Sequence, residues 1–210
     1  MPALYRTYRP QTWEALTGQD TVSKTLQQEI RTGRIAHAYL FSGPRGVGKT
    51  TSARLLAKAI NCSARKEDSA EPCNTCDSCV AITANKALDL VELDAATHTG
   101  VDAVREHIIE NAQARPMQLQ KKVFIIDEVH RLSGSAFDAL LKTLEEPPEH
   151  AFFILATTEA HKLPATILSR CQRFTFTHIP PEMMKSRLNE LLKHEGAQMD
   201  GEILMRVIAR

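Results

Sequence analysis

The stretch "GPRGVGKT", Gly43 to Thr50, sets three glycines, a lysine and a hydroxyl at the spacing G-x-x-x-x-G-K-[ST]. That combination suits a polyanion. The glycines let the backbone turn successive N–H groups inward, and a helix starting at the loop adds its positive N-terminus. Lys49 is then placed to reach the β and γ phosphates, and Thr50 to offer its hydroxyl to Mg2+. Pro44, Arg45, Val47 and Thr51 fill out the candidate contacts around Gly43, Gly46 and Gly48.

A nucleotide loop needs acids to do chemistry. "VFIIDEVH" ends an apolar run in Asp127 and Glu128. Asp127 would hold Mg2+ through water, and Glu128 would orient or deprotonate the attacking water. An acidic strand end is common by itself; its pairing with the loop is what argues for an NTP hydrolase. Of the eight histidines, none shows metal-type spacing with another. All read as packing or surface residues, with His130 alone near the acids.

Cys62, Cys73, Cys76 and Cys79 form C-x10-C-x2-C-x2-C. Four thiolates can close a tetrahedral Zn2+ shell with no open position, which is the structural arrangement. An iron–sulfur cluster or unliganded thiols are alternatives that the spacing leaves open. The loop between these cysteines is polar and reads as irregular, so a metal clip would give it shape. Cys171 lies outside the cluster as a free thiol.

These groups must be positioned by regular elements, and the pattern supplies them. Val22, Leu26 and Ile30 make one helical face closed by Gly33. "AYLFSG" is a strand running into the glycine loop, and "KTTSARLLAKAIN" is the helix after it, with Leu55, Leu56, Ala59 and Ile60 inward. "DLVELDAA", "KKVFIIDEVH", "AFFILATT" and "RFTFT" read as strands, and "VDAVREHIIENAQ" and "SGSAFDALLKTLEEPP" as helices between them. The alternation predicts a parallel sheet covered on both faces, with ligands beyond the carboxyl ends of its strands. From Pro180 onward the pattern is helical, with Met184, Leu188, Leu191 and Leu192 on one face. A boundary near His178 therefore divides a nucleotide-binding domain, residues 1–177 with the cysteine insertion at about 62–79, from the start of a helical lid, 178–210. The chain stops inside a helical pattern, as a fragment would.

With 210 residues, 43% of them hydrophobic, one sizeable core is expected. A formal net charge of +1 creates no global field toward DNA, so nucleic-acid contact would need a local patch or a partner. The N-terminus has no signal-peptide run and no segment approaches a membrane span, so the expectation is a cytoplasmic protein without membrane contact.

"YRPQTWEALTGQD", "RIAHAYLFSGPRGVGKTTSARLLAKAINC", "IIDEVHRLSGSAFDALLKTLEEPPEHAFFILATT" and "KLPATILSRCQRF" resemble the AAA+ ATPase subunits of clamp loaders, the bacterial gamma/tau type in particular. The resemblance runs from about Tyr5 to Phe176. It implies a P-loop NTPase of the AAA+ class with an inserted zinc module and the start of a lid. It assigns Thr158 to the residue that senses the γ-phosphate, with Thr157 as the fallback, and Arg170 of "SRC" to an arginine finger reaching a neighbouring subunit's ATP site. It places Leu4, Tyr8, Arg9, Pro10 and Gly18, followed by Gln19, on the adenine side, whereas Trp13 reads as a cover residue. It favours zinc at the cysteines. The implied partners are delta-type and delta-prime-type subunits, copies of the chain itself, a sliding clamp, primer–template DNA and, if the full chain has a polymerase-binding tail, the polymerase core. The implied cofactors are ATP, Mg2+ and structural Zn2+. The chain itself carries no polymerase active site. Another AAA+ machine, such as a helicase loader or branch-migration helicase, would share the loop and acids but not the cysteines or "SRC"; a non-hydrolysing scaffold would need neither Lys49 nor Glu128.

Overall fold

A computed structural model describes residues 4–208. Five parallel strands form one sheet: β1 (Ala38–Ser42), β2 (Leu90–Asp94), β3 (Lys122–Asp127), β4 (Ala151–Thr157) and β5 (Gln172–Thr175), in the spatial order β2-β3-β4-β1-β5. β1, β3 and β4 are almost wholly buried. Their near-continuous apolar runs are what a sheet covered on both faces requires. The register sets Ser42 beside Thr157 and Asp94 beside Asp127, so the candidate groups gather at one edge of the sheet, where all strands end.

The helices are α1 (Leu4–Thr7), α2 (Asp20–Thr32), α3 (Lys49–Asn61), α4 (Asp77–Thr83), α5 (Val101–Val104), α6 (Asn111–Gln113), α7 (Gly134–Glu145), α8 (Ala165–Leu168), α9 (Pro181–His194) and α10 (Gly201–Ile208). One face of the sheet packs Leu40, Phe124, Ile126 and Phe153 against α5, α7 and the turns joining α5 to α6. The other packs Tyr39, Phe41, Ile125 and Ile154 against α2 and α3. Val22, Leu26 and Ile30 are buried as their four-residue spacing predicts, and Gly33 closes α2 at φ 66°.

Two local expectations need correction. The segment Val101–Gln113 is helical but not one regular α-helix, because Arg105–Glu110 widens into a π-helix between α5 and α6. Val104, Ile108 and Ala112 stay buried through that change. The cysteine insertion is also less irregular than its polarity suggests: α4 begins at Asp77 and carries Cys79 on its inner face. The small cluster of Ile82, Ala87 and Leu119 lies beneath it. In α9 no residue is fully buried, and Met184, Leu188, Leu191 and Leu192 are half-buried.

Candidate functional site

The glycine loop leaves β1 and enters α3. Gly43, Gly46 and Gly48 stand at φ 145°, 82° and 100°, conformations that side chains with a Cβ rarely adopt. At Gly43 there is also no space, since a Cβ would lie 2.3 Å from the carbonyl oxygen of Phe176. Val47 is buried beneath the loop, Arg45 is exposed, and Pro44 and Thr51 are half-buried. Lys49 is 7% exposed and donates to the carbonyls of Gly43 and Pro44 at 2.7 and 2.6 Å. Burial lowers its pKa, and the nearby charges of Glu128 and Asp127 oppose that shift.

One hydrogen bond joins the loop to the acids. Thr50 donates its hydroxyl to Asp127 Oδ2 at 2.8 Å, across 77 residues of sequence. Two oxygens so placed, one neutral and one anionic, are the donor set that a hard cation such as Mg2+ takes. Glu128 follows at φ 47°, a left-handed conformation costing a non-glycine residue about 1 kcal/mol. Its N–H is held by Asp127 Oδ1 at 2.9 Å, and its carboxylate Oε2 accepts the Thr158 hydroxyl at 3.0 Å. Backbone strain kept next to a candidate base marks a position fixed by its surroundings.

His130 belongs to this network. Its side chain is 5% exposed; Nδ1 lies 2.9 Å from Thr157 Oγ1 and 3.5 Å from Glu128 Oε2, and Nε2 lies 2.9 Å from Glu159 Oε2. Metal-type spacing between histidines carries no signal for a lone imidazole among carboxylates. Its position two residues after Glu128 was the available signal. Glu159 is held below the usual carboxylate range by the hydrogen bond and charge of Lys162, with His130 adding to the same effect. Thr157, the fallback sensor, is fully buried against His130 and Glu159, whereas Thr158 is the threonine on Glu128.

The adenine-side residues divide. Gly18 stands at φ 77° against Ile179, just ahead of α9, and Tyr8 donates to Glu195 Oε1 at 2.6 Å just beyond it. Gln19 is not free to read a base, because its amide brackets the backbone of Thr177. Arg9 and Pro10 instead line a cavity of about 800 Å3 that reaches Thr50 and Asp127 and is walled by Arg54, Lys58 and Glu92. Burial and the neighbouring Arg54 lower the Arg9 pKa. Leu4 is exposed on α1. Arg170 is not brought to the loop. It pairs with Glu145 at the end of α7 and donates to the Thr166 carbonyl at 2.8 Å.

The cysteine sulfurs of Cys62, Cys73, Cys76 and Cys79 all lie within 4.8 Å of one another. Cys73 to Cys79 is 4.0 Å and Cys76 to Cys62 is 3.9 Å. Zn–S bonds in a regular tetrahedron put sulfurs about 3.8 Å apart, so the donor set fits zinc. Asn74 at φ 61° turns the chain between Cys73 and Cys76, and the Cys73 sulfur accepts backbone N–H groups from Thr75 at 3.4 Å and Cys76 at 3.2 Å. The Thr75 hydroxyl and these amides pull the Cys73 thiol down to about 5, whereas burial pushes Cys79 up. Cys171 is buried in the core, unpaired, with its pKa raised to about 11 by burial.

A family model described as "DNA polymerase III, delta subunit" matches residues 18–180. Among curated proteins, DNA polymerase III subunit tau of Bacillus subtilis is 51% identical over 198 residues, covering 94% of this chain and 35% of that protein. The gamma/tau subunit of Mycobacterium bovis is 46% identical over 98% of this chain and 36% of its own length. Subunit tau of Escherichia coli is 49% identical over 91% of this chain and 29% of its own length. The chain belongs to the gamma/tau family of DNA polymerase III. It spans about a third of the length of these relatives.

Solved structures agree on the fold. The RuvB Holliday junction branch migration motor of Thermotoga maritima superposes with a TM-score of 0.63 at 17% identity, over 95% of this chain and 59% of that one. A DNA polymerase III gamma subunit-related protein from the same organism gives 0.53 at 22% identity, over 80% and 52%. The gamma/tau family chain therefore shares with these proteins the fold of a parallel sheet flanked by helices, with the glycine loop running from β1 into α3. The RuvB likeness is one of fold only, and the sequence relatives separate this chain from the branch-migration alternative. No helix among the described residues is long and apolar enough to cross a membrane.

Proposed function

We propose that this chain is the ATP-binding and ATP-hydrolysing motor portion of a cytoplasmic DNA polymerase III clamp loader. The observation that carries the reading is the Thr50 to Asp127 hydrogen bond, which unites the phosphate loop and the acids at the ends of β1 and β3. The loop amides and Lys49 bind the triphosphate, while Thr50 and Asp127 hold Mg2+, which supplies charge neutralisation at the phosphates when bound. Glu128 orients or deprotonates water, and Thr158 senses the γ-phosphate. The base lies on the side of Tyr8, Arg9, Pro10 and Gly18. Residues 1–177 form the nucleotide-binding domain, and 178–210 begin the lid.

Arg170 lies away from its own loop, as a residue acting on a neighbouring subunit must. ATP held between subunits favours the assembled state only by binding it better than the dissociated one. The assembly would contain delta-type and delta-prime-type subunits and further copies of this chain. It would open a sliding clamp, admit primer–template DNA and close the clamp on hydrolysis. A polymerase-binding tail in the full chain would add the polymerase core as a partner. The cysteines would hold structural Zn2+ and take no part in hydrolysis.

The test is steady-state ATP turnover by the full-length protein assembled with its partner subunits, with and without clamp and primed DNA, and again with Arg170→Ala. Stimulation by clamp and DNA that the substitution removes is the expected result. Turnover indifferent to both would leave an ATPase of another AAA+ class.

A further inference from the structure

The cysteine insertion follows α3 directly, and its contacts lead back to the N-terminal segment. Glu71, two residues before Cys73, accepts the backbone N–H of Trp13 at Oε2 (2.9 Å) and that of Glu14 at Oε1 (3.1 Å). The Trp13 indole N–H donates to the Ala70 carbonyl at 3.1 Å, with the ring 2% exposed. Glu71 is itself fixed, since its N–H is held by Ser69 Oγ at 3.0 Å and Pro72 follows it. Gln11 is reached from the same module through Lys58: it accepts from Lys58 at 2.8 Å, while Lys58 also bonds Asn74 in the turn between Cys73 and Cys76.

From this anchorage the chain runs straight to the phosphate loop. The Leu16 N–H closes a turn on the Trp13 carbonyl at 3.2 Å. Leu16 is buried where a Cβ on Gly48 would come within 3.3 Å of its Cδ1, so it lies directly on the last glycine of the loop. Gly18 and Gln19 then fasten the same segment to Ile179 and Thr177, ahead of α9. The segment that covers the loop is therefore positioned at Trp13 and Glu14 by the cysteine module.

We propose that Glu71 is a positioning residue for the nucleotide site, through which the metal-clipped cysteine module holds residues 11–16 against the phosphate loop. The inference rests on the reading of that loop as the nucleotide site and gives the module a purpose there. A binding-competent arrangement populated only a tenth of the time weakens apparent affinity about tenfold, which is the scale expected when the clasp opens.

Three quantities decide it in the full-length protein: hydrogen exchange of a peptide spanning residues 8–18, ATP affinity, and zinc content. Glu71→Ala is expected to retain zinc, to lose protection at the Trp13 and Glu14 amides, and to weaken ATP binding about tenfold. Glu71→Gln keeps an acceptor oxygen and is expected to fall between that variant and the parent; it also serves as the deciding variant if Glu71→Ala loses the metal. Stripping zinc from the parent protein with a chelator should reproduce both changes, and restoring zinc should reverse them. Unchanged exchange, or lost protection with unchanged ATP affinity, overturns the proposal. Lys49→Ala is the control for the underlying reading: if it leaves ATP affinity intact, the nucleotide site is wrongly placed and the proposal falls with it.

Discussion

Thr158 donates its hydroxyl to Glu128 Oε2 at 3.0 Å. A threonine hydroxyl carries one proton and cannot donate it to a carboxylate and a phosphate oxygen together. Engagement of a γ-phosphate by Thr158 would therefore release the Glu128 oxygen. Thr158→Val is nearly isosteric and removes the donor. It should lower stimulated ATP turnover by about ten- to a hundredfold while nucleotide affinity changes by less than about threefold. Thr158→Ser, which keeps the hydroxyl, should retain most of the turnover. Turnover kept in Thr158→Val but lost in Thr158→Ser would mean that the methyl group, and not the hydroxyl, is what matters.

Gly43 is the loop position least able to accept a side chain. Its φ is 145°, and an added Cβ would meet both the backbone oxygen and the Cβ of Phe176. Gly43→Ala should destabilise the protein by about 2–4 kcal/mol, seen as a fall in Tm of roughly 5–15 °C. Gly33 has φ 66° but nothing within 4 Å of an added Cβ. Gly33→Ala should then cost only about 1 kcal/mol. Similar Tm values for the two variants would exclude the close approach as the cause.

The loop, the acids and the cysteines were legible because each is a short run whose residues act together and whose spacing is fixed by the ligand. The strands were legible because a parallel sheet covered on both faces demands unbroken apolar runs, as in Phe124–Ile126 and Phe153–Ala156. His130 was not, since its partners Thr157 and Glu159 lie at the end of β4 and just past it, and reach it only through the β3–β4 pairing. Glu71 was not either: an exposed-looking acid in a polar loop gives no sign that two backbone amides 57 and 58 residues earlier depend on it. The π-helical turn at Arg105–Glu110 keeps the buried positions of an ordinary helix, so hydrophobic period alone does not reveal it.

Asp89 links stability to pH. It is 1% exposed, and its carboxylate accepts the N–H groups of Met117, Gln118 and Leu119 at 2.6 to 3.0 Å. Burial raises its pKa, but these donors and the Lys122 charge outweigh burial and hold it below the usual carboxylate value. A carboxyl lowered in the folded state stabilises above its unfolded pKa of about 4, and that stabilisation is lost as pH falls through the folded value. Asp89→Ala should cost about 3 kcal/mol at neutral pH, since it strands three amides. Urea midpoints should show the gap between parent and variant narrowing below about pH 4. A constant gap across that range would mean that lost packing, not the ionised carboxylate, sets the cost.

Arg170 can serve a neighbouring subunit only by leaving Glu145, with which it pairs at the surface of its own chain. An exposed pair of this kind contributes about 0–1 kcal/mol, a small barrier beside the charge that develops on a phosphoryl group in transfer. Glu145→Gln should therefore change stability by less than about 1 kcal/mol and leave stimulated turnover of the assembled complex unchanged or higher. Arg170→Ala should lower that turnover by about a thousandfold or more, with nucleotide affinity nearly intact. The two substitutions break the same ion pair, so a role confined to holding α7 against α8 predicts equal effects on turnover. Opposite effects require that the guanidinium acts elsewhere than on Glu145. Mixing Arg170→Ala subunits with Lys49→Ala subunits then locates the site of action. Partial recovery of turnover in the mixture would show that one chain's arginine serves another chain's loop, and no recovery at any ratio would place both residues in the same subunit.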